Sequence, residues 1–218
     1  ACPWLDAPVV LEKYAPEIAE GLDVLFFCTE NGFGMRHVPD VLSAVRVVDL
    51  SADFRLKQAG LYPEWYKLDH TCPELLLNAI WSIPELTDQA AIESTRLVAN
   101  PGCYVTASVL ALKPLVHAGL VEGVPIIDAK SGLSGAGRSK TDTDYLFSEL
   151  FGNFKAYGVS AHRHTPEIEQ GLGGRQVRFV PHLIPASRGI LATIHFRLPS
   201  NAGRADVIDC WEKQYFGR

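Results

Sequence analysis

The 218 residues are 47% hydrophobic and 21% charged, enough apolar material for a real buried core and too much for an intrinsically disordered chain. Lys and Arg number 20 against 25 Asp and Glu, a formal charge of −5, and no basic stripe of the kind that neutralises a nucleic-acid backbone is present. No apolar run reaches the ~18 residues of a membrane span. The opening Ala1-Cys2-Pro3-Trp4-Leu5-Asp6 lacks a signal-peptide pattern, so a cytoplasmic protein with neither membrane nor nucleic acid as partner is expected.

In chain order, residues 22–28 form a short continuous apolar run, as expected of a strand covered on both faces. Gly32 and Gly34 break the pattern, 38–44 suits a helix, and 45–50 is a second strand of the same kind. The stretch 59–85, rich in Tyr, Trp and Pro, reads as an ordered excursion, and 97–100 as a third strand stopped by Pro101-Gly102. Strands alternating with helical stretches predict a parallel α/β layer over the first hundred residues. Beyond it, 105–116 predicts an apolar helix ended by Gly119. Segments 125–130, 176–181 and 189–198 read as strands, the last alternating in the manner of a half-covered sheet, with helices over 144–150 and 166–172. The domain border is placed at 102/103, giving units of 1–102 and 103–218.

Five cysteines are widely spaced, with no Cys-x-x-Cys pair, which fits reduced thiols and excludes a zinc ribbon. Cys103 differs from the rest. It follows Asn100-Pro101-Gly102 and heads the predicted helix, where unpaired N–H groups and the helix dipole favour a thiolate. Lowering a thiol pKa from ~8.5 to ~6 raises the thiolate fraction at pH 7 roughly 30-fold, but nucleophilicity falls about tenfold, so positioning must supply most of any catalysis. A buried structural cysteine is the alternative.

His162-Arg163-His164-Thr165-Pro166-Glu167 precedes another helix, with Thr165 suited to N-cap, Pro166 to N1 and Glu167 to the first turn. In an extended segment His162 and His164 project to one side, beside Arg163. That suits a general acid/base with anion-binding neighbours, or else a hydrogen-bonded loop before the helix. No third ligand at standard spacing supports a metal. Ser131-Gly132-Leu133-Ser134-Gly135-Ala136-Gly137-Arg138 reads as a phosphate-binding loop or a plain turn. It mimics a Walker A loop, except that Arg138 stands where Lys belongs and a turn follows where a helix is required. Arg55, after the second strand in Asp49-Leu50-Ser51-Ala52-Asp53-Phe54-Arg55, is either a phosphate ligand or a salt-bridge partner.

Taken together, 50–56, 100–104, 131–138, 162–168 and Val180-Pro181-His182-Leu183-Ile184-Pro185 resemble, in order, the motifs of the N-acetyl-γ-glutamyl-phosphate reductases of the semialdehyde dehydrogenase superfamily. The resemblance covers essentially residues 20 to 200. It implies a Rossmann-type NADP domain followed by an α+β catalytic and dimerisation domain with a mixed sheet, assembled as a homo-oligomer (dimer or tetramer). It also implies NADPH-dependent reduction of an acyl phosphate to a semialdehyde and phosphate, in arginine biosynthesis, with Cys103 as nucleophile and His162 as acid/base. Arg55, Asn100, Arg163 and His164 are the implied substrate ligands, and Ser134, Gly135, Ala136 and Gly137 the implied cofactor loop. Three departures lead to the expectation of a chain shortened at both ends. The Gly-rich first turn is absent, Cys28-Thr29-Glu30-Asn31 replaces a segment near Leu-Pro-His-Gly, and the chain stops at Arg218. A non-catalytic fragment, a carrier-linked aminoadipyl-phosphate reductase and an aspartate-semialdehyde dehydrogenase are the alternatives. The two-His motif favours the acetylglutamate enzyme over the last of these.

Overall fold

A computed structural model describes residues 10–137 and 143–216, so Cys2 and Arg138 lie outside the described residues. Strands β1 (Val24–Phe27), β2 (Arg46–Asp49), β3 (Ile80–Trp81) and β4 (Leu97–Ala99) form a wholly parallel sheet in the order β1-β2-β4-β3. Helices α1 (Phe33–Val41), α2 (Tyr62–Tyr66), α3 (Glu74–Asn78) and α4 (Gln89–Ser94) accompany them. Phe27, Val38, Val47, Phe54, Leu56, Tyr62 and Leu97 are the centre of the first core. The excursion at 59–85 thus holds α2, α3 and an edge strand. Two residues of β3 are too few for a periodic signal, and what makes them a strand is their register on Val98 and Ala99.

Helix α1 starts five residues before the predicted 38–44. The cause lies twenty residues away. The Asp53 carboxylate, fully buried, accepts the Gly32 N–H at 2.7 and 2.9 Å and the Met35 N–H at 2.9 Å, satisfying donors that a helix start leaves open. Gly32 turns the chain at φ 88°, and a Cβ on Gly34 would come within 3.1 Å of Asp53 Oδ2 and 3.3 Å of Asp49 Oδ1. The two glycines that look like a break are what lets the first turn rest on two buried carboxylates.

Asp49 ends β2 with no exposure, accepting the Ser51 N–H at 3.1 Å and its hydroxyl at 2.8 Å. Burial, against those bonds, pushes its carboxyl up to about 6. A raised acid costs stability while ionised, and the cost fades as pH falls through 6 towards 4. Asp49→Asn is therefore expected to stabilise the protein at pH 8 by an amount on the order of 1–3 kcal/mol. Denaturant melts should show that gain shrinking towards pH 4, and a gain independent of pH would refute the assignment.

After β4, helix α5 (Cys103–His117) leads into the second sheet. Strands β5 (Glu122–Ser131), β6 (Lys155–Ala156), β7 (Arg178–Leu183) and β8 (Ile190–Arg197) stand in the order β6-β7-β5-β8. β5 runs parallel to β7 and antiparallel to β8, so this sheet is mixed. β5 is longer than predicted and slips register between Glu122 and Ile126, around Gly123 and Pro125. Helices α6 (Phe147–Leu150), α7 (Thr165–Gly171) and α8 (Arg204–Tyr215) complete the chain. The second core gathers Val105, Val109, Leu112, Ile127, Ile168 and Phe179, and Trp81 and Ile83 from the first half join it. At Gly171 a Cβ would meet Val109 Cγ2 at 2.8 Å and Trp81 Cη2 at 2.9 Å, so α7 packs backbone-close on α5 and β3.

Helix α8 escapes the sequence reading because none of its residues is fully buried. Val207 and Cys210 pack partly buried on the second core, and two hydrogen bonds tie the helix to α5. Pro114 sits inside α5 and has no N–H for the carbonyl four residues back. The Tyr215 hydroxyl donates to that Leu110 carbonyl at 2.6 Å, and Trp211 Nε1 donates to Ala111 at 2.9 Å. Tyr215→Phe is expected to cost about 1 kcal/mol, seen as a lower denaturant midpoint at unchanged slope.

Candidate active site

The turn 100–102 and the first residue of α5 put Cys103 at the exposed mouth of a cleft of about 340 Å³. Gly102 is the N-cap, extended at φ −65° and ψ 152°, and offers no side chain to the helix start. Tyr104, Tyr157, His162, Arg163 and His164 line it, together with Gly135 and Ala136. Cys103, His162, Arg163 and His164 are thus brought together from positions sixty residues apart. Asn100 and Arg55 are not among the residues lining this cleft.

The two imidazoles differ. His162 is half-buried among rings, with centroids of Tyr104 at 5.8 Å, Tyr157 at 5.4 Å, Phe179 at 5.2 Å and His164 at 4.7 Å. Its Nδ1 accepts the His164 N–H at 3.1 Å, which leaves the proton of the neutral ring on Nε2. Desolvation first, and Arg163 second, bring its pKa down to about 4, so it is uncharged at neutral pH. His164 is buried and lies flat on Gly102, where a Cβ would fall 2.4 Å from Nε2 and 2.7 Å from Cε1. Burial, helped by His162, Arg55 and Arg163, holds it well below the usual imidazole range.

Helix α7 begins differently from the prediction. His164, not Thr165, is the N-cap, and no side chain caps the helix. Glu167, expected only as an acid suiting the first turn, is fully buried. Its Oε1 accepts the Gly102 N–H at 3.1 Å and the Trp81 indole N–H at 2.9 Å. The available signal was its spacing from His164, which at i, i+3 puts both on one face.

Arg55, expected on a phosphate, spends its donors on backbone: Nε on the Asn100 carbonyl and Nη2 on that of Leu50, both at 2.7 Å. Asn100 is exposed, its N–H bound to the Asp49 carbonyl at 2.9 Å and its Nδ2 to the Pro101 carbonyl at 3.2 Å. Arg163 is exposed over the Tyr66 ring at 6.0 Å. The described part of the Gly-rich loop is a single 3-10 turn over Leu133–Ala136. Ser134 donates to Ser187, Gly135 to Gly132 and Gly137 to Ser134. These three N–H groups are therefore already engaged and not free for an anion.

Gly102→Ala is expected to collide with His164 and to destabilise by about 1–3 kcal/mol in denaturant melts. An unchanged midpoint would show that the ring is not held there.

Residues 103–218 match the family model described as semialdehyde dehydrogenase, dimerisation domain, and 6–95 the one described as semialdehyde dehydrogenase, NAD binding domain. An N-acetyl-gamma-glutamyl-phosphate reductase of Thiobacillus denitrificans is 46% identical over 98% of this chain and 64% of its own length. That of Halorhodospira halophila is 51% identical over 79% of this chain and 52% of its own length. The chain spans between about half and two thirds of these curated relatives. Two solved structures share the fold. One is aspartate semialdehyde dehydrogenase II of Vibrio cholerae, at TM-score 0.64 and 15% identity over 89% of this chain and 61% of that one. The other is the Francisella tularensis enzyme, at 0.65 and 14% over 92% and 65%. With more than half of its residues matched by the dimerisation-domain model, and the parallel and mixed sheets in place, the chain belongs to the semialdehyde dehydrogenase family.

Proposed function

We propose that this chain carries the catalytic centre for NADPH-dependent reduction of N-acetyl-γ-glutamyl phosphate to N-acetylglutamate 5-semialdehyde and phosphate, the arginine-biosynthetic reaction. The observation that carries the reading is the joint placement of an exposed Cys103 at a helix start, two desolvated imidazoles and the Arg163 guanidinium in one cleft. The names of the curated relatives support the choice of substrate.

In this reaction Cys103 Sγ attacks the acyl carbon, the carbon–oxygen bond to phosphate breaks, and a thioester remains. When bound, NADPH supplies the hydride that reduces the thioester carbonyl. His162, with Nδ1 engaged and its proton on Nε2, donates to the oxygen that becomes anionic and recovers the proton as the carbon–sulfur bond breaks. Arg163 and His164, which line the cleft, hold the phosphate and carboxylate of the substrate, with Asn100 at the head of the turn that leads into Cys103 as a further ligand. Of the loop Ser134, Gly135, Ala136 and Gly137, the small residues Gly135 and Ala136 line the cleft beside Cys103. They fit a flat nicotinamide ring better than a diphosphate, since the N–H groups of Ser134, Gly135 and Gly137 are already engaged. The dimerisation-domain match over residues 103–218 supports a homo-oligomer. The free thiols of Cys28, Cys72, Cys103 and Cys210 support a cytoplasmic setting.

Reduction of NADP followed at 340 nm with N-acetylglutamate semialdehyde is expected to depend on phosphate, and a rate independent of phosphate would refute the acyl-phosphate reading. Cys103→Ser is expected to abolish turnover at an unchanged melting temperature. His162→Asn should lower turnover roughly 10²–10⁴-fold. A deeper loss in His164→Asn would transfer the acid/base role to that ring.

A further inference from the structure

A buried ion pair is left unused by the proposed chemistry. Arg55 and Glu167 come from opposite halves of the chain, each with at most a tenth of its surface exposed, and Arg55 Nη1 stands 4.0 Å from Glu167 Oε2. A buried pair of this kind is a poor source of net stability. Both members end on the three residues, 100–102, that lead into Cys103. Arg55 Nε donates to the Asn100 carbonyl at 2.7 Å, and the Gly102 N–H donates to Glu167 Oε1 at 3.1 Å. A second link runs through α7, where Gln170 Nε2 donates to the Arg55 carbonyl at 2.8 Å and Gln170 Oε1 accepts the Lys57 N–H at 2.9 Å.

We infer that Arg55 and Glu167 are positioning residues for Cys103, a buried brace that grips the turn 100–102 by a carbonyl at one end and an N–H at the other. The brace has directional bonds at both ends. A guanidinium supplies the donor that Asn100 needs, and a carboxylate the acceptor that Gly102 needs, so the two cannot exchange roles. Glu167 also sits one helical turn from His164, whose ring covers Gly102. One short helix therefore sets the backbone N–H before the nucleophile and the imidazole lying over it. Arg55, which the resemblance offers as a substrate ligand, acts on this account through the turn. The inference rests on the reading of Cys103 as the nucleophile.

The cysteines of the chain supply the test. Cys103 and Cys28 are exposed and Cys72 is buried. Iodoacetamide labelling of the whole chain, read cysteine by cysteine from peptide masses between pH 6 and 9, reports the site at Cys103, an exposed reference at Cys28 and unfolding at Cys72. In Glu167→Ala the Cys103-to-Cys28 rate ratio at pH 7 is expected to fall about fivefold, with Cys72 still protected, because the thiol loses its fixed place at the helix start. Glu167→Gln should stay within about twofold of the unaltered protein, since the amide oxygen still accepts both bonds. Arg55→Lys keeps the charge but not the forked donor, and its ratio should fall as well. An unmoved ratio in Glu167→Ala with Cys72 protected overturns the brace, as does a loss in Glu167→Gln equal to that in Glu167→Ala. Should Glu167→Ala expose Cys72, Arg55→Lys decides, and an unmoved ratio there is fatal. Failure of the nucleophile reading is visible separately, as full turnover in Cys103→Ser.

Discussion

The site depends on one contact between a residue without a side chain and an imidazole. Because Gly102 has no Cβ, the His164 ring can lie where that atom would stand, and the first turn of α7 can approach the start of α5. Once that approach is made, the Glu167 carboxylate reaches the Gly102 N–H and the Trp81 indole, and Gln170 reaches the backbone at Arg55 and Lys57. Each of these bonds joins the mixed-sheet half to the parallel-sheet half. The close packing at Gly171 against Val109 and Trp81 repeats the device at the other end of the same helix. A helix of seven residues makes these contacts because two glycines let its backbone come in.

Desolvation then sets the chemistry. His162 and His164 are enclosed by aromatic rings and by each other, and a cationic imidazolium beside Arg163 would be costly there. Both rings are consequently neutral hydrogen-bonding groups at physiological pH, with a tautomer chosen at His162 by a backbone N–H. In the same cleft Cys103 remains exposed. The protein thus separates the two requirements of the proposed reaction, keeping the proton-handling groups dry and the nucleophile accessible.

Much of this was legible in the sequence, and the gaps have physical causes. The apolar runs of β1, β2 and β4, the alternation of β8 and the helix after Pro101-Gly102 all report local patterns and give elements where expected, but β1 is not covered on both faces as its run suggested, since Val24 and Phe26 are exposed. The gathering of Cys103 with the His162-Arg163-His164 segment was readable from ordered motifs. Long-range partners were not. The start of α1 depends on Asp53, β3 on its register against β4, and α8 on the orphan carbonyl left by Pro114. Arg55 and Glu167 look from the sequence like a ligand and a helix-start acid, because nothing local shows that their partners are backbone groups elsewhere.

The proline in α5 also bears on when the site can come into being during synthesis. The helix that presents Cys103 contains a carbonyl, at Leu110, that its own residues cannot satisfy. The hydroxyl that satisfies it belongs to Tyr215, which leaves the ribosome about a hundred residues later. Until α8 docks, water must serve that carbonyl and the flank of α5 facing α8 stays uncovered. Early in synthesis the thiol is therefore carried by an unfinished helix, and the arrival of 204–215 supplies the partners of its Leu110 and Ala111 carbonyls. Completion of the nucleophile's support is in this way tied to the appearance of the last described element.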